Sequence, residues 1–99
     1  ETEMLILITY DVSTQTPEGR RRLQRVAKYC EGRGIRVQNS VFECILDAAQ
    51  LAVARHELEK LINPAEDSLR FYTLGERTKR NVVHIGVKPG VDMEGTLMI

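Results

Sequence analysis

The spacing of apolar positions predicts a strand followed by an amphipathic helix in the first third of the chain. A continuous apolar run covers 4–10 and ends at Asp11, which is typical of a central strand shielded on both faces. Helix signals follow, with Thr16 as N-cap and Pro17 at the first helical position. Apolar residues then recur at i, i+3, i+4 and i+7, namely Leu23, Val26, Ala27 and Cys30. Glycines at 32 and 34 end the helix, and we expect one of them in the left-handed conformation.

The middle of the chain predicts two strands and a second helix. Apolar and polar residues alternate on both sides of Asn39-Ser40 within 35–46, a pattern that fits two strands joined by a tight turn or one long bent strand. We predict two strands. Asp47 is the expected N-cap of a helix that ends at Asn63-Pro64. Its buried stripe is Leu51, Ala54, Leu58, Leu61 and Ile62.

Two more alternating segments, 68–74 and 82–87, predict a fourth and a fifth strand. The element order is then β-α-β-β-α-β with one extra C-terminal strand. This order is typical of an α+β, ferredoxin-like domain with two helices on one face of an antiparallel sheet. We predict one domain over 4–87 and a tail over 88–99. Residues 1–3 precede Met4, the expected native start, and are left out of the fold prediction.

The sheet of such a domain has a second face that also requires a cover. Leu5, Leu7, Leu69 and Phe71 supply apolar groups that we expect to extend beyond the helix-covered face. A second copy of the chain would cover them, so we predict a homodimer packed sheet to sheet. The fifth strand and the tail could then pair with the edge of the partner's sheet.

Composition limits the class of protein without naming a function. The chain has 99 residues, of which 42% are hydrophobic and 28% charged, values that suit one globular domain. No apolar run approaches the roughly 18 residues of a membrane span, and no secretory signal pattern opens the chain. Cys30 and Cys44 lack metal-ligand spacing, so we expect reduced, partly buried thiols in a cytoplasmic protein.

Charge is distributed unevenly although the net charge is zero. Between Glu18 and Arg36 there are seven cations and two anions, a net charge of +5, whereas residues 47–67 carry five anions and two cations, a net charge of −3. The first helix region therefore has either a phosphate-attracting face or an ordinary solvated one. A globally basic nucleic-acid binder is excluded.

Asp11 is the strongest candidate for chemistry. The chain has no Gly-rich phosphate loop, no His-x-x-x-His and no Cys-x-x-Cys, and His56 and His84 fit surface or structural positions. Asp11 directly follows a buried strand, so it either caps the loop or binds a ligand. Mg²⁺ is held by one or two carboxylates together with waters and phosphate oxygens. A dimer axis near this strand end would join two Asp11 side chains into a site that polarises a phosphodiester and activates water.

Three segments together resemble a known family. Residues 7–12 (Leu-Ile-Thr-Tyr-Asp-Val), 36–44 (Arg-Val-Gln-Asn-Ser-Val-Phe-Glu-Cys) and 63–72 (Asn-Pro-Ala-Glu-Asp-Ser-Leu-Arg-Phe-Tyr) are similar to the small CRISPR-associated adaptation protein. That protein is the second of the two near-universal spacer-acquisition subunits, in a family of endoribonucleases and endonucleases. Beyond 88 the chain matches no motif.

The resemblance implies a ferredoxin-like homodimer with metal-dependent phosphodiesterase activity on RNA or double-stranded DNA. It also implies a scaffold role beside the integrase subunit that inserts DNA into a CRISPR array. Asp11 matches the family's metal-ligand aspartate. Phe42, together with Ser40 and Tyr10, matches positions near the family's dimer cleft.

Two functions remain open from the sequence. The first is an endonuclease that uses Mg²⁺, or another divalent cation such as Mn²⁺, at Asp11, with Glu43 as the nearest candidate base and cleavage favoured at neutral to alkaline pH. The second is a catalytically silent scaffold that binds double-stranded DNA without sequence readout. Its predicted phosphate contacts are Arg20, Arg21, Arg22, Arg25, Arg77, Lys79 and Arg80. A small-molecule sensor with this fold is disfavoured because no Gly-rich ligand loop is present.

Overall fold

A computed structural model describes residues 2–76 and residue 85 of the chain. The elements are β1 (Met4–Asp11), α1 (Pro17–Glu31), β2 (Gly34–Gln38), β3 (Val41–Leu46), α2 (Ala48–Leu61) and β4 (Ser68–Glu76). The four strands form one antiparallel sheet in the order β2-β3-β1-β4. The predicted α+β fold with β-α-β-β-α-β order is confirmed, and 35–46 forms two strands. The predicted fifth strand over 82–87 and the tail over 88–99 lie outside the described residues.

Both helices begin where the capping residues predict. The Thr16 side chain accepts a hydrogen bond from the Gly19 amide at 3.0 Å, with Pro17 in the first turn. Asp47 and Gln50 form a reciprocal capping box at 2.8 and 2.9 Å. These contacts satisfy amides that the first turn of a helix leaves without partners.

Three glycines differ in backbone conformation and in the space around them, namely Gly32, Gly75 and Gly34. The prediction of a left-handed glycine after α1 is wrong, because Gly32 has a φ of −77° and the one positive-φ glycine of the described chain is Gly75, with a φ of 121°. Gly75 lies where the pairing of β1 with β4 shifts register, and glycine adopts this conformation without strain. At Gly34 a Cβ atom would collide with the carbonyl oxygen of Glu43, so a glycine is needed there for β2 to approach β3.

The core lies between the sheet and the two helices. Alternate β1 residues Ile6 and Ile8 face it, Phe42 lies among them, and all three are completely buried. The buried cluster comprises Ile6, Ile8, Tyr10, Val12, Val26, Cys30, Phe42, Cys44, Leu46, Ala54 and Leu58. Cys30 and Cys44 are free thiols that are wholly rather than partly buried, and burial raises their pKa values to about 12 and about 11.

Register assigns two apolar β4 residues to the helix-covered face. Leu69 lies opposite Tyr10 and Phe71 opposite Ile8, and residues paired in this way share a face of the sheet. Both pack against the core. The prediction that Leu69 and Phe71 reach the second face is therefore wrong, because alternation shows which residues share a face but not which face it is.

The second face of the sheet still carries apolar surface. Leu7 lies between Glu43 of β3 and Tyr72 of β4, and Leu5 lies opposite Ile45. Leu5 is 2% exposed and Glu43 5%, whereas Tyr72 is 41% exposed. Neither α1 nor α2 packs on this face, since the residues that contact the helices are those of the core cluster. No helix in the described part of the chain is long and apolar enough to cross a membrane.

Candidate functional site

Asp11 is the last residue of β1, and it is exposed to solvent. Its backbone pairs with Ser68 at the start of β4. Within residues 2–76, no side chain donates a hydrogen bond to the Asp11 carboxylate or forms an ion pair with it. The carboxylate is therefore free to bind a ligand from solvent, and it is mounted at the end of the central strand.

A single copy of the chain supplies too few ligands for a complete metal cage. Within the described residues, no group of three or more His, Cys, Asp or Glu side chains is placed to hold a metal ion. Asp11 still fits Mg²⁺ in donor chemistry, because Mg²⁺ prefers oxygen ligands, keeps several waters and is bound through one or two carboxylates plus substrate phosphates.

The backbone after Asp11 is held from both sides. Val12 is buried in the core, and the Ser13 amide donates a hydrogen bond to Asp67 Oδ1 at 3.0 Å. On the opposite side, the Ser13 carbonyl lies so close to Gly19 that a Cβ atom there would collide with it. The segment that leaves Asp11 is consequently fixed between the first turn of α1 and the start of β4.

Asp67 accepts four hydrogen bonds, and its side chain is fully buried. Its oxygens accept from Arg22 Nε at 2.8 Å and from the amides of Asn63 and Ser13 at 2.8 and 3.0 Å. The Arg22 hydrogen bond is the largest cause that lowers the pKa of Asp67 to about 2, against burial, which acts in the opposite direction. Asp67 is not among the predicted site residues, because its partners Ser13 and Arg22 lie far away along the chain.

Arg22, one of the predicted phosphate contacts, forms ion pairs within the chain. Its guanidinium bonds both Asp67 and Glu66, and its side chain is only 14% exposed. A phosphate would have to displace a buried carboxylate, which costs more than a surface contact returns. The structure places Arg22 in an ion pair with a buried carboxylate, and its predicted contact with nucleic acid stays a prediction.

The other predicted cations of α1 remain accessible. Arg20 Nη1 donates to the Thr14 carbonyl at 3.0 Å and so contacts the loop that follows Asp11. Arg21 pairs with Glu18 at 3.3 Å, but both side chains are more than half exposed, and such pairs contribute little and exchange readily. Arg77, Lys79 and Arg80 lie outside the described residues.

A shallow cationic depression of about 280 Å³ lies on the exposed side of α1. It is lined by Arg21, Gln24, Arg25 and Lys28. Three cations and one amide at helical spacing present donors on one face, and among the described residues no carboxylate lines the depression. This surface suits a phosphate backbone, which is recognised by charge rather than by sequence.

Hydrogen bonds and ring stacking connect β1 to the turn between β2 and β3, through Tyr10, Ser40 and Phe42. The Tyr10 amide donates to the Ser40 carbonyl at 3.1 Å, and the Tyr10 hydroxyl donates to the Asn39 carbonyl at 3.4 Å. The rings of Tyr10 and Phe42 stack with centroids 6.2 Å apart. Burial raises the pKa of Tyr10. The side chains of Tyr10 and Phe42 thus belong to the core, and of the three residues only Ser40 is partly exposed.

Glu43, the candidate base, lies far from Asp11 within one chain. It is opposite Leu7, and Leu7 and Asp11 are four residues apart in β1, which corresponds to about 13 Å in an extended strand. A general base has to lie within hydrogen-bond reach of the water it activates. The two carboxylates of one chain therefore cannot share such a water.

The comparison that decides the family is the match to a family model. The model described as CRISPR associated protein Cas2 matches residues 4–82. The chain belongs to the CRISPR-associated Cas2 family. The resemblance in the three sequence segments is thereby confirmed.

Relatives and a solved structure of Cas2 proteins support the assignment over nearly the whole chain. The chain is 54% identical over 95 residues to the CRISPR-associated endonuclease Cas2 of Halalkalibacterium halodurans, covering 96% of this chain and 99% of that protein. It is 53% identical to an endoribonuclease Cas2 of Rhodospirillum rubrum, covering 96% and 100%. The crystal structure of Streptococcus pyogenes Cas2 at pH 6.5 matches with a TM-score of 0.72 and 49% identity, over 84% of this chain and 100% of that one.

Cas2 membership connects the fold and the candidate site to one biological setting. The four-stranded antiparallel sheet with two helices is the fold of solved Cas2 structures. The curated Cas2 relatives carry the names endonuclease and endoribonuclease. The chain is thus a CRISPR-associated protein of a nuclease family.

Proposed function

We propose that this chain is a subunit of a divalent-cation-dependent endonuclease of CRISPR adaptation, which hydrolyses phosphodiester bonds of RNA or DNA. The observation that carries the proposal is the exposed carboxylate of Asp11, without a partner among the described residues, on a strand end whose neighbours are fixed. A catalytic ligand requires this combination, because it has to be both accessible and preorganised.

Asp11 would hold the cation, Mg²⁺ or a related ion such as Mn²⁺. When bound, the cation would stabilise negative charge on the scissile phosphate and lower the pKa of an attacking water. The chain's own contribution is to keep an ionised carboxylate at the strand end and to bind flanking phosphates with Arg20, Arg21 and Arg25. We assign no general base, because Glu43 of the same chain lies too far away.

A homodimer would complete the ligand set. The face of the sheet that carries Leu7 and the 41%-exposed Tyr72 is covered by neither helix, and exposed apolar surface of this kind marks an interface. In a two-fold dimer the same patch meets itself, so a two-fold axis close to the end of β1 would supply one Asp11 from each copy.

A second candidate function is a catalytically silent scaffold that binds double-stranded DNA beside the CRISPR integrase subunit. The cationic depression on α1 favours it, because Arg21, Arg25 and Lys28 form that surface without Asp11. Both roles can coexist on one dimer. We place either role in the cytoplasm, the compartment that suits the two free thiols.

Asp11→Asn tests the endonuclease. Purified wild type, Asp11→Asn and the control Asp47→Asn are incubated with labelled duplex DNA or single-stranded RNA, with Mg²⁺ or EDTA. Asn at position 47 still caps α2, so this control removes a carboxylate without touching the site. We expect cleavage by wild type and control in Mg²⁺ only, and background cleavage by Asp11→Asn. Equal cleavage by all three proteins would refute the proposed metal site.

Charge reversal tests the scaffold. A triple variant with Glu in place of Arg21, Arg25 and Lys28 should bind duplex DNA much more weakly. The slope of log K against log salt concentration, measured by fluorescence anisotropy, should fall in magnitude by about three. Arg55→Glu on the acidic helix α2 is the control and should bind as the wild type does. Unchanged binding by the triple variant would remove this surface from the interface.

A further inference from the structure

We propose that Asp67 is a positioning residue for Asp11: with Gly19, it holds Ser13 in place and so fixes the orientation in which Asp11 meets a divalent cation. The proposal rests on the metal site proposed at Asp11. It extends that site to a buried carboxylate that touches neither cation nor substrate.

The hydrogen bonds of Asp67 join three separate segments of the chain. Oδ1 accepts from the Ser13 amide at 3.0 Å and from Arg22 Nη2 at 3.3 Å, and Oδ2 accepts from Arg22 Nε and the Asn63 amide, each at 2.8 Å. The loop after β1, helix α1 and the turn before β4 are thereby tied to one side chain. Four such bonds leave the carboxylate little remaining capacity to accept, and its side chain is fully buried, so Asp67 does not itself bind the cation.

The backbone near Asp11 is connected to Asp67 in two places, along the chain and across the sheet. Along the chain, Asp11 is separated from the bonded Ser13 amide only by the buried Val12. Across the sheet, Asp11 pairs with Ser68, the residue that follows Asp67. A shift of Asp67 would therefore move Asp11 along two independent routes.

Gly19 limits the position of Ser13 from the opposite side. A Cβ atom at Gly19 would meet the Ser13 carbonyl oxygen and carbon, both of them backbone atoms that cannot rotate away. The carbonyl of Ser13 is thus confined by α1 and its amide by Asp67. Outer groups that orient a ligand in this way typically change metal affinity about 10- to 100-fold when they are removed.

The test measures Mn²⁺ binding by electron paramagnetic resonance of the free ion, with the folded protein and without nucleic acid. Asp67→Asn and Gly19→Ala disturb Ser13 from its two sides, and each should weaken Mn²⁺ binding about tenfold. Asp47→Asn is the matched control for the first variant. Gly32→Ala is the control for the second, because a Cβ atom at Gly32 meets its nearest neighbour at an ordinary 3.5 Å. Both controls should bind Mn²⁺ as the wild type does.

A purely stabilising role for Asp67 would give a different result. Folded Asp67→Asn and Gly19→Ala would then bind Mn²⁺ as tightly as the wild type, even if both melt at a lower temperature, and the proposal would be overturned. If Asp67→Asn does not fold, Gly19→Ala decides, because it leaves the Asp67 carboxylate and its ion pair with Arg22 in place.

Amide hydrogen exchange separates this inference from the proposed function. The Ser13 amide should exchange slowly in the wild type and faster in Asp67→Asn, whether or not metal is present. If Asp11→Asn binds Mn²⁺ as the wild type does, the metal site at Asp11 fails and the positioning claim fails with it, while exchange still reports whether Asp67 holds Ser13. Rapid exchange of the Ser13 amide in the wild type, or the same rate in Asp67→Asn, would overturn the inference.

Discussion

The end of β1 and the start of β4 lie side by side and carry two aspartates in opposite environments. Asp11 is exposed and accepts nothing from the described chain, whereas Asp67 is buried and accepts four hydrogen bonds. Their backbones are only one residue out of register, since Asp11 pairs with Ser68. An aspartate side chain is therefore left exposed to solvent in one place and joins three segments of the chain in the other.

The difference shows what sets the role of a carboxylate in this protein. A buried charge persists only when it is paired and hydrogen-bonded, and Arg22 provides that compensation for Asp67. An exposed carboxylate is compensated by water, so it can exchange that water for a cation. Substitutions at the two positions should therefore affect different properties.

The largest expected effect is on stability at Asp67. Asp67→Ala leaves the largely buried Arg22 without its main partner and should lower the free energy of unfolding by about 3–5 kcal/mol, measured by urea denaturation. Asp11→Ala is a surface change and should alter it by no more than about 0.5 kcal/mol. Comparable losses in the two variants would contradict the contrast between the two aspartates.

A smaller effect should distinguish Arg22 from Arg25. Arg22→Gln removes a charged hydrogen-bond donor from a buried acceptor and should lower the free energy of unfolding by less than Asp67→Ala does. Arg25→Gln should leave stability unchanged and reduce the salt dependence of duplex binding by about one in slope. Denaturation and anisotropy measured on the same two variants check both statements. A reduced salt slope for Arg22→Gln would show that Arg22 also contacts phosphate.

The smallest expected effect is a change in stability that occurs only at acidic pH. The pKa of Asp67 is lowered from 3.8 to about 2 in the folded chain, so the unfolded chain takes up a proton on this group first as pH falls. The stabilising contribution of Asp67 is therefore complete above about pH 5 and is lost as pH falls toward 2. The stability difference between wild type and Asp67→Asn, followed by urea denaturation across this range, should shrink with falling pH. A constant difference would show that the charge of Asp67 does not stabilise the fold.

The sequence predicted the helix starts, which depend on nearby residues, better than the buried face of β4, which depends on distant ones. Helix starts at Thr16 and Asp47 depend on residues within one turn, and the capping contacts confirm both. The faces of Leu69 and Phe71 depend on the register of β4 against β1, which alternation does not specify. That register placed both residues in the core, contrary to the prediction.

The residues of the candidate site also differ in how far the sequence alone could identify them. Asp11 could be selected from sequence because it follows an uninterrupted apolar strand, and the structure leaves its carboxylate available. Asp67 could not be selected, since its partners Ser13 and Arg22 lie 54 and 45 residues away along the chain. The ion pair of Arg22 with Asp67 could not be predicted for the same reason, because the two residues are distant in sequence.

The amino-acid sequence by itself determined the order of strands and helices, the capping of the helices, the cationic first helix and the Cas2 family. Apolar periodicity and capping act over a few residues, so they can be read along the chain. Only the tertiary structure decided which cations are available, which face each strand buries, and which aspartate meets solvent. Those properties depend on contacts between residues that are distant in sequence, and the burial such contacts produce determines whether a charge is left for a ligand.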